Sequence, residues 1–474
     1  MYGYKFIGSV LAFLFTFTLS LLMTTAADAQ AWKQYSDPGK AGWSREGLEK
    51  ARAFAREIGS GAVLVVDHGN VVAAWGNIDF PYKAASMRKS IYDGTFGAVF
   101  TEKRFDTGTT LKNLGIDDLG GLTDKEKTAT FEQLMEARSG VYHAAAYETR
   151  GNAELRPKRG SADPGTFWYY NNWDFNVVCP AFEKLTGRDF RTSFEEKIAK
   201  PLGMEDFRDE YIFNWLEPRS SEYPAVTIRL SARDLARFGQ MYLNGGTWGG
   251  KRIVDAAWIK RSTTAHTVFE KGHYRGEGNG YGRLWWVYPA RPSSGSALEA
   301  HQRIAARGAG GQMVFLIPDL DIVIVHLANT DTAEGVPDRS AEKLLDLILQ
   351  ARGKGPSGGE ALKEVSAEEI GSPPPVLDLD LRPIAKEKID KLAGKYMVSD
   401  KIGIRLYEHD DRLFAEPVGM GLPDVEVLSG KDGALSSPLV DVVFKPQKDA
   451  DGSYAGLSMT FRGRTMIGRR TDRE

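Results

Sequence analysis

Cysteine is almost missing from this chain: there is one thiol, Cys179, in 474 residues. That excludes an internal disulfide framework and any Cys-x-x-Cys pair for redox or zinc chemistry. Cys179 lies in the apolar run 176–182, which predicts a buried structural thiol. Histidine is scarce too. The seven histidines include no His-Glu-x-x-His spacing, so neither a metal site nor a cofactor is expected. Charge of one sign is not in surplus, with 61 Lys plus Arg against 63 Asp plus Glu. No polycationic face follows, and nucleic-acid binding is set aside. One long apolar run stands out, Ile7 to Met23 behind Lys5. Ala27-Asp28-Ala29 and Ala29-Gln30-Ala31 offer small-x-small cleavage patterns after it. Residues 1–31 are therefore expected to be an export signal, with the mature protein periplasmic or secreted. Membrane contact would arise only if that segment stayed uncleaved.

The length predicts two folded units, or one large unit with an appendix. Apolar residues at 42% and charged residues at 26% are ordinary for a globular protein with a large core. Leu48, Ala51, Phe54, Ala55 and Ile58 fall near helical spacing, so Arg45 to Ile58 reads as a helix. Ala62 to Val66 and Val71 to Trp75 are β-branched and apolar runs around the turn Asp67-His68-Gly69-Asn70, a hairpin. A middle section, about 86 to 260, is richer in helix patterns; Ser231 with Asp234 three residues on reads as a helix cap. Strands return at 284–287, 313–317 and 322–325, and a helix from Ala341 to Gln350 closes the unit. Strands at both ends of a helical middle imply one sheet built from both termini. Gly353 to Pro375, rich in glycine and proline, reads as part of a linker over 353–384. From 385 to 474, short alternating runs such as Ile402 to Leu406 are separated by turns such as Asp410-Asp411. They predict an all-β unit of five to eight strands, a small barrel or sandwich.

Chemistry enters at Ser86-Met87-Arg88-Lys89. On a helix, residues three apart share a face, which sets Lys89 against the Ser86 hydroxyl. Burial and neighbouring cations lower the pKa of a lysine until it accepts a serine proton. A helix N-terminus adds partial positive charge beside a developing oxyanion. About one or two Ser-x-x-Lys matches are expected by chance in a chain this long, and Ser86 also reads as a plain N-cap. A second match, Ser340-Ala341-Glu342-Lys343, reads as the N-cap and first turn of the closing helix. Further on, Tyr170 could relay a proton to a leaving group, and the Asn172 amide could hold the lysine or a substrate amide. An aromatic cluster such as Phe167 to Tyr170 also reads as core.

Taken together, Ser86-x-x-Lys89, Pro164-Gly165-Thr166 and Tyr170-x-Asn172 resemble the serine β-lactamase-related and penicillin-binding-protein-like hydrolases. Arg138-Ser139-Gly140-Val141, the helix from Ser231 ahead of Tyr242 to Gly246, and Gly280-Tyr281-Gly282 before Trp285-Trp286 resemble that family in the same order. The resemblance covers about 40 to 350. It implies an α+β fold, an antiparallel sheet flanked by helices with an all-helical insert, within 32–352, with the C-terminal β-barrel as an appendage. It implies an acyl-enzyme at Ser86, assisted by Lys89 and Tyr170, with a small-molecule or short peptide-like substrate. The family's third motif, Lys-Thr-Gly or His-x-Gly, falls here on Ala306-Arg307-Gly308, or on Arg303-Ile304-Ala305 if the hairpin is longer. On the first register the Ser86 and Ala309 N–H groups would form an oxyanion hole beside Gly308. The family's cation holds a substrate carboxylate, so Ala306 removes a charge-assisted hydrogen bond of about 1.5–3 kcal/mol. Arg307 or Arg303 could restore it. These residues imply hydrolysis of a less anionic ester or amide. The alternatives are a D-Ala-D-Ala carboxypeptidase or β-lactamase, and an idle binding protein of the same fold.

Overall fold

The computed structural model describes residues 31–331, 335–371, 381–422, 424–430, 433–437, 440, 442–461 and 463–471. The export signal expected over 1–31 lies outside these, save Ala31, as does the proline run 373–375.

The first half of the chain opens as its sequence predicts. Ser44 caps the helix Arg45–Glu57 by accepting from the Gly47 amide. The strands Ser60–Asp67 and Asn70–Gly76 are joined by His68 and Gly69, both at positive φ. That is the tight turn whose twist matches a right-handed hairpin. The strand Ile322–Ala328 from the far end of the unit pairs antiparallel with Ser60–Asp67, in register Ile324↔Val65. Beyond it come Gln312–Ile317, Arg303–Gly308, Trp286–Tyr288 and Gly280–Tyr281. One ten-stranded sheet is thus assembled from both ends of the unit. Its central strands are buried along nearly their whole length, because helices cover both faces.

The terminal helix begins earlier than predicted, at Asp338, with Pro337 at its N-cap. Ser340 is therefore inside the first turn and caps nothing. Proline at 337 fixes φ in the helical range one residue before the helix and sets the start. Lys343 lies over the Phe54 ring, 4.6 Å from its centre, on the first helix.

The helix that carries the nucleophile motif, Arg88–Glu102, is buried on every side from Arg88 to Phe100. A helix with no exposed face is an interior helix, and its polar side chains Arg88, Lys89 and Asp93 are buried with it. The insert around it holds helices such as Asn172–Thr186 and also the hairpin Ile212–Leu216 with Ala225–Leu230 and a short one, Thr247–Trp248 with Lys251–Arg252. Cys179 is buried in the first of these, and desolvation raises its pKa.

The C-terminal strands close into an eight-stranded barrel, running from Gly394–Met397 to Arg464–Arg470 and sealed by pairing of Arg412–Val418 with Asp424–Ser429. The helix Lys386–Leu392 sets Ile389 and Leu392 into its core. Two features differ from the linker-and-appendage picture. Residues Leu362–Glu364 form an edge strand against Lys33–Tyr35, and Ile370 is buried in the main core. This part of the expected linker is fastened to the hydrolase body. In addition, the strand Asp424–Ser429 pairs with Ile212–Leu216, so the barrel sheet continues into the insert hairpin. The chain of strands reaches Tyr82–Lys83, just ahead of Ser86.

Candidate active site

The turn before Ser86 is strained. Ala84 donates its amide to Ile228, and Ala85 takes a left-handed φ of 47°. For a residue with a β-carbon this costs about 1–2 kcal/mol. The 3₁₀ turn Ala85–Met87 then runs into the helix Arg88–Glu102. The result is a half-buried Ser86 at the mouth of a buried helix N-terminus.

Lys89 sits one turn on, almost wholly buried. Its Nζ lies 2.8 Å from Ser86 Oγ and 2.8 Å from the Tyr170 hydroxyl. It also lies over the rings of Tyr170 and Phe175, at 4.6 and 4.7 Å from their centres. Burial, then the charges of Arg88 and Arg275, lower the Lys89 pKa well below the ordinary lysine value. Tyr170 moves the other way: burial raises its pKa, while the Ser86 hydrogen bond and both arginines pull against the rise. The pair therefore favours a neutral amine beside a protonated phenol. Such an amine accepts the proton of the serine it touches, and such a phenol has one to give.

Tyr170 is held from two directions. Its ring stacks on Trp286, with centres 5.5 Å apart and planes at 22°. Its backbone leads into the helix Asn172–Thr186, whose N-terminal turn is tied to the Ser139-Gly140 turn. Asp174 accepts from the Ser139 hydroxyl at 2.5 Å and from Asn171 Nδ2 at 2.8 Å. Asn171 Nδ2 also donates to Val141 O. Asn171, not Asn172, caps this helix. Asn172 is its first residue and is buried.

The strand Arg303–Gly308 brings the expected third motif to the nucleophile. A β-carbon at Gly308 would stand 2.6 Å from Ala84 O and 3.0 Å from the Ser86 nitrogen, so only glycine fits there. Gly308 pairs with Gln312, and the exposed Ala309 follows at the turn. This favours the register Ala306-Arg307-Gly308. Arg307 is not brought to Ser86. Strand alternation turns it to the sheet's other face, where it donates to Tyr288 OH at 3.0 Å and pairs with Asp338 and Glu342 of the terminal helix. Arg303 shares that face, 5.3 Å from the Tyr288 ring centre. Neither arginine replaces the cation missing at Ala306.

Two cations were passed over in the sequence. Arg88 is fully buried; it donates to Tyr92 OH and Asn176 Oδ1 and lies over the Tyr147 ring. Arg275 reaches in from the loop 269–279. No short motif marks either residue; adjacency to Lys89 was the only sign for Arg88.

The family model described as Beta-lactamase matches residues 45–347. The chain belongs to the beta-lactamase family. Within it, the chain is 30% identical over 300 residues to a 6-aminohexanoate-dimer hydrolase of Paenarthrobacter ureafaciens, covering 56% of this chain and 72% of that protein. It is 30% identical over 168 residues to a D-aminopeptidase of Cereibacter sphaeroides, covering 30% of this chain and 32% of that protein. Among solved structures, the octameric penicillin-binding protein homologue from Pyrococcus abyssi aligns with a TM-score of 0.48 at 17% identity. That alignment covers 89% of this chain and 98% of the homologue. The relatives named for an activity are hydrolases, and the family places this chain among them.

Proposed function

We propose that the protein is a serine hydrolase that cleaves an ester or amide through an acyl-enzyme on Ser86. The observation that carries the reading is a single contact set: Lys89 Nζ within 2.8 Å of both Ser86 Oγ and Tyr170 OH. Lys89, uncharged, takes the Ser86 proton as Oγ bonds to the substrate carbonyl carbon. The oxyanion that forms lies beside the Ser86 and Ala309 amides. Tyr170 gives its proton to the leaving nitrogen or oxygen and regains one from Lys89 as the carbon–leaving-group bond breaks. Water then attacks the acyl carbon by the same route in reverse. The names of two relatives, a 6-aminohexanoate-dimer hydrolase and a D-aminopeptidase, favour an amide.

A fluorophosphonate probe tests the reading. The wild type should be labelled at Ser86 and should hydrolyse at least one of an aryl ester, a linear amide and nitrocefin. Ser86→Ala should lose both properties. Lys89→Ala should lower turnover by about 10²–10⁴-fold, the usual contribution of a positioned base. A folded wild type that takes no label would sink the proposal and favour the idle binding protein. Preference for nitrocefin over the other two would move the substrate to the β-lactam side.

A further inference from the structure

The loop 269–279 is a built structure with an arginine at its tip. Phe269 and Asn279 close its neck, with Phe269 N donating to Asn279 O and Gly278 N to Phe269 O, both at 2.8 Å. His273 stacks flat on Phe269, 4.3 Å between centres at 7°. Asn279 Nδ2 donates to Arg275 O, and Arg275 N donates to His273 Nδ1. The Arg275 guanidinium then lies over Trp286 at 4.6 Å and over Tyr170 at 5.5 Å, against the stack that holds the site.

Among the described residues that charge has ring contacts but no anionic partner. Among the described residues no carboxylate comes within ion-pair distance of Arg275, and its Nε is buried with nothing to donate to. The loop's own acids, Glu270 and Glu277, are exposed to solvent. The charges that act on neighbouring Lys89 are the two arginines, both positive. A partly buried guanidinium stacked on aromatic rings, with unused donors and no counter-ion, is arranged to receive a planar anion. Its location adds to this. The Tyr170 ring that it covers carries the hydroxyl 2.8 Å from Lys89 Nζ.

We propose that Arg275 is the anion anchor of the Ser86 site, holding a carboxylate that the substrate carries near its scissile bond. The proposal rests on the acyl-enzyme reading above and narrows it. Ala306 alone argued for less anionic substrates. Arg275 delivers the missing charge from a different element, so the favoured substrate is an amide or ester with a free carboxylate. Arg275 is a specificity-determining residue here, and its contact is with the carboxylate and not with the reacting carbonyl.

Arylboronic acids provide the test, since they bond to a serine nucleophile without needing the right leaving group. Phenylboronic acid is compared with its ortho-, meta- and para-carboxy derivatives. In the wild type at least one carboxylated isomer should bind about tenfold or more tightly than the parent, the usual weight of a charge-assisted hydrogen bond. Arg275→Ala and Arg275→Gln should both bring the ratio of carboxylated to parent affinity to about one, with that ratio read inside each variant because losing Arg275 also shifts the charge on Lys89 and moves every compound together. The glutamine variant keeps much of the stem on the rings, so a packing defect in the alanine variant would be visible as a difference between the two. A preference that survives in both variants, or an equal loss for every compound, overturns the anchor. Intact fluorophosphonate labelling with no carboxylate preference in the wild type also overturns it and leaves the nucleophile reading standing. Absence of both labelling and boronate binding removes the two together.

Discussion

At the scale of single residues, the decisive quantity is the charge on Lys89. A lysine in water is protonated near neutral pH and is no base. Here burial and two arginines disfavour the ammonium form. In the proposed mechanism the neutral amine takes the Ser86 proton, so kcat/KM should rise as pH rises through the lowered Lys89 pKa. Arg88 is one of the two cations responsible, and it is fully buried against Tyr92, Asn176 and Tyr147. Arg88→Gln removes a positive neighbour and should raise the Lys89 pKa. The acid limb of the kcat/KM profile should then move to higher pH, with the plateau reached later. A limb that stays in place would show that desolvation alone sets the pKa. Much at this scale was readable from sequence: Ser86, Lys89 and Tyr170 do meet. What could not be read were facts of direction. Arg307 is one residue from Gly308, and strand parity sends it to the opposite face. Arg275 lies in a loop without periodicity, so nothing in its neighbours says which way the tip folds.

At the scale of elements, the strand Ile322–Ala328 carries a test of its own. His326 is fully buried. Its Nε2 is 2.8 Å from Ser60 Oγ and its Nδ1 is 2.6 Å from Gly311 O, which fastens the Gly310-Gly311 turn after Gly308. Burial lowers its pKa from 6.5 to about 4. The folded protein therefore prefers the neutral ring more strongly than the unfolded chain does. The stability this group supports is present above pH 6.5 and is lost as pH falls from there toward 4, roughly 3 kcal/mol over the whole window. Thermal melts from pH 7.5 to 4 should show the decline, and His326→Gln should flatten it by about one proton's worth of slope. An unchanged slope would assign acid lability to other groups. Elements of this kind were legible where periodicity is strong: the hairpin 60–76 and the helices from Arg45 and Ala232 stand where the patterns put them. The short hairpin Ile212–Leu216 with Ala225–Leu230 was passed over, because a long turn with Pro218 and Pro224 separates its strands and masks the pairing.

At the scale of the whole molecule, the barrel and the hydrolase body share one sheet. The strand Asp424–Ser429 adds to the edge of Ile212–Leu216, and Glu426, itself buried, accepts the Asn214 amide at 3.0 Å while pairing with Arg412. Without the barrel, Ile212–Leu216 becomes a bare edge strand bearing Phe213 and Trp215, with its backbone donors and acceptors open. Such edges recruit other chains. A chain ending at residue 371 should therefore elute as larger, polydisperse species and melt lower than the full chain, as read by light scattering and thermal denaturation. Ser86 should still take a fluorophosphonate in the fraction that stays folded, because Lys89 and Tyr170 belong to the first unit. Adding a charge to the freed edge, as in Trp215→Lys, should restore part of the monomer, since inward or edge lysines block strand addition. A truncated chain that is monodisperse without that change would show that the barrel is not there to cover the edge. Its remaining connection to function would then be the strand path through Ala225–Leu230 to Tyr82–Lys83. In that case truncation should alter turnover without altering association.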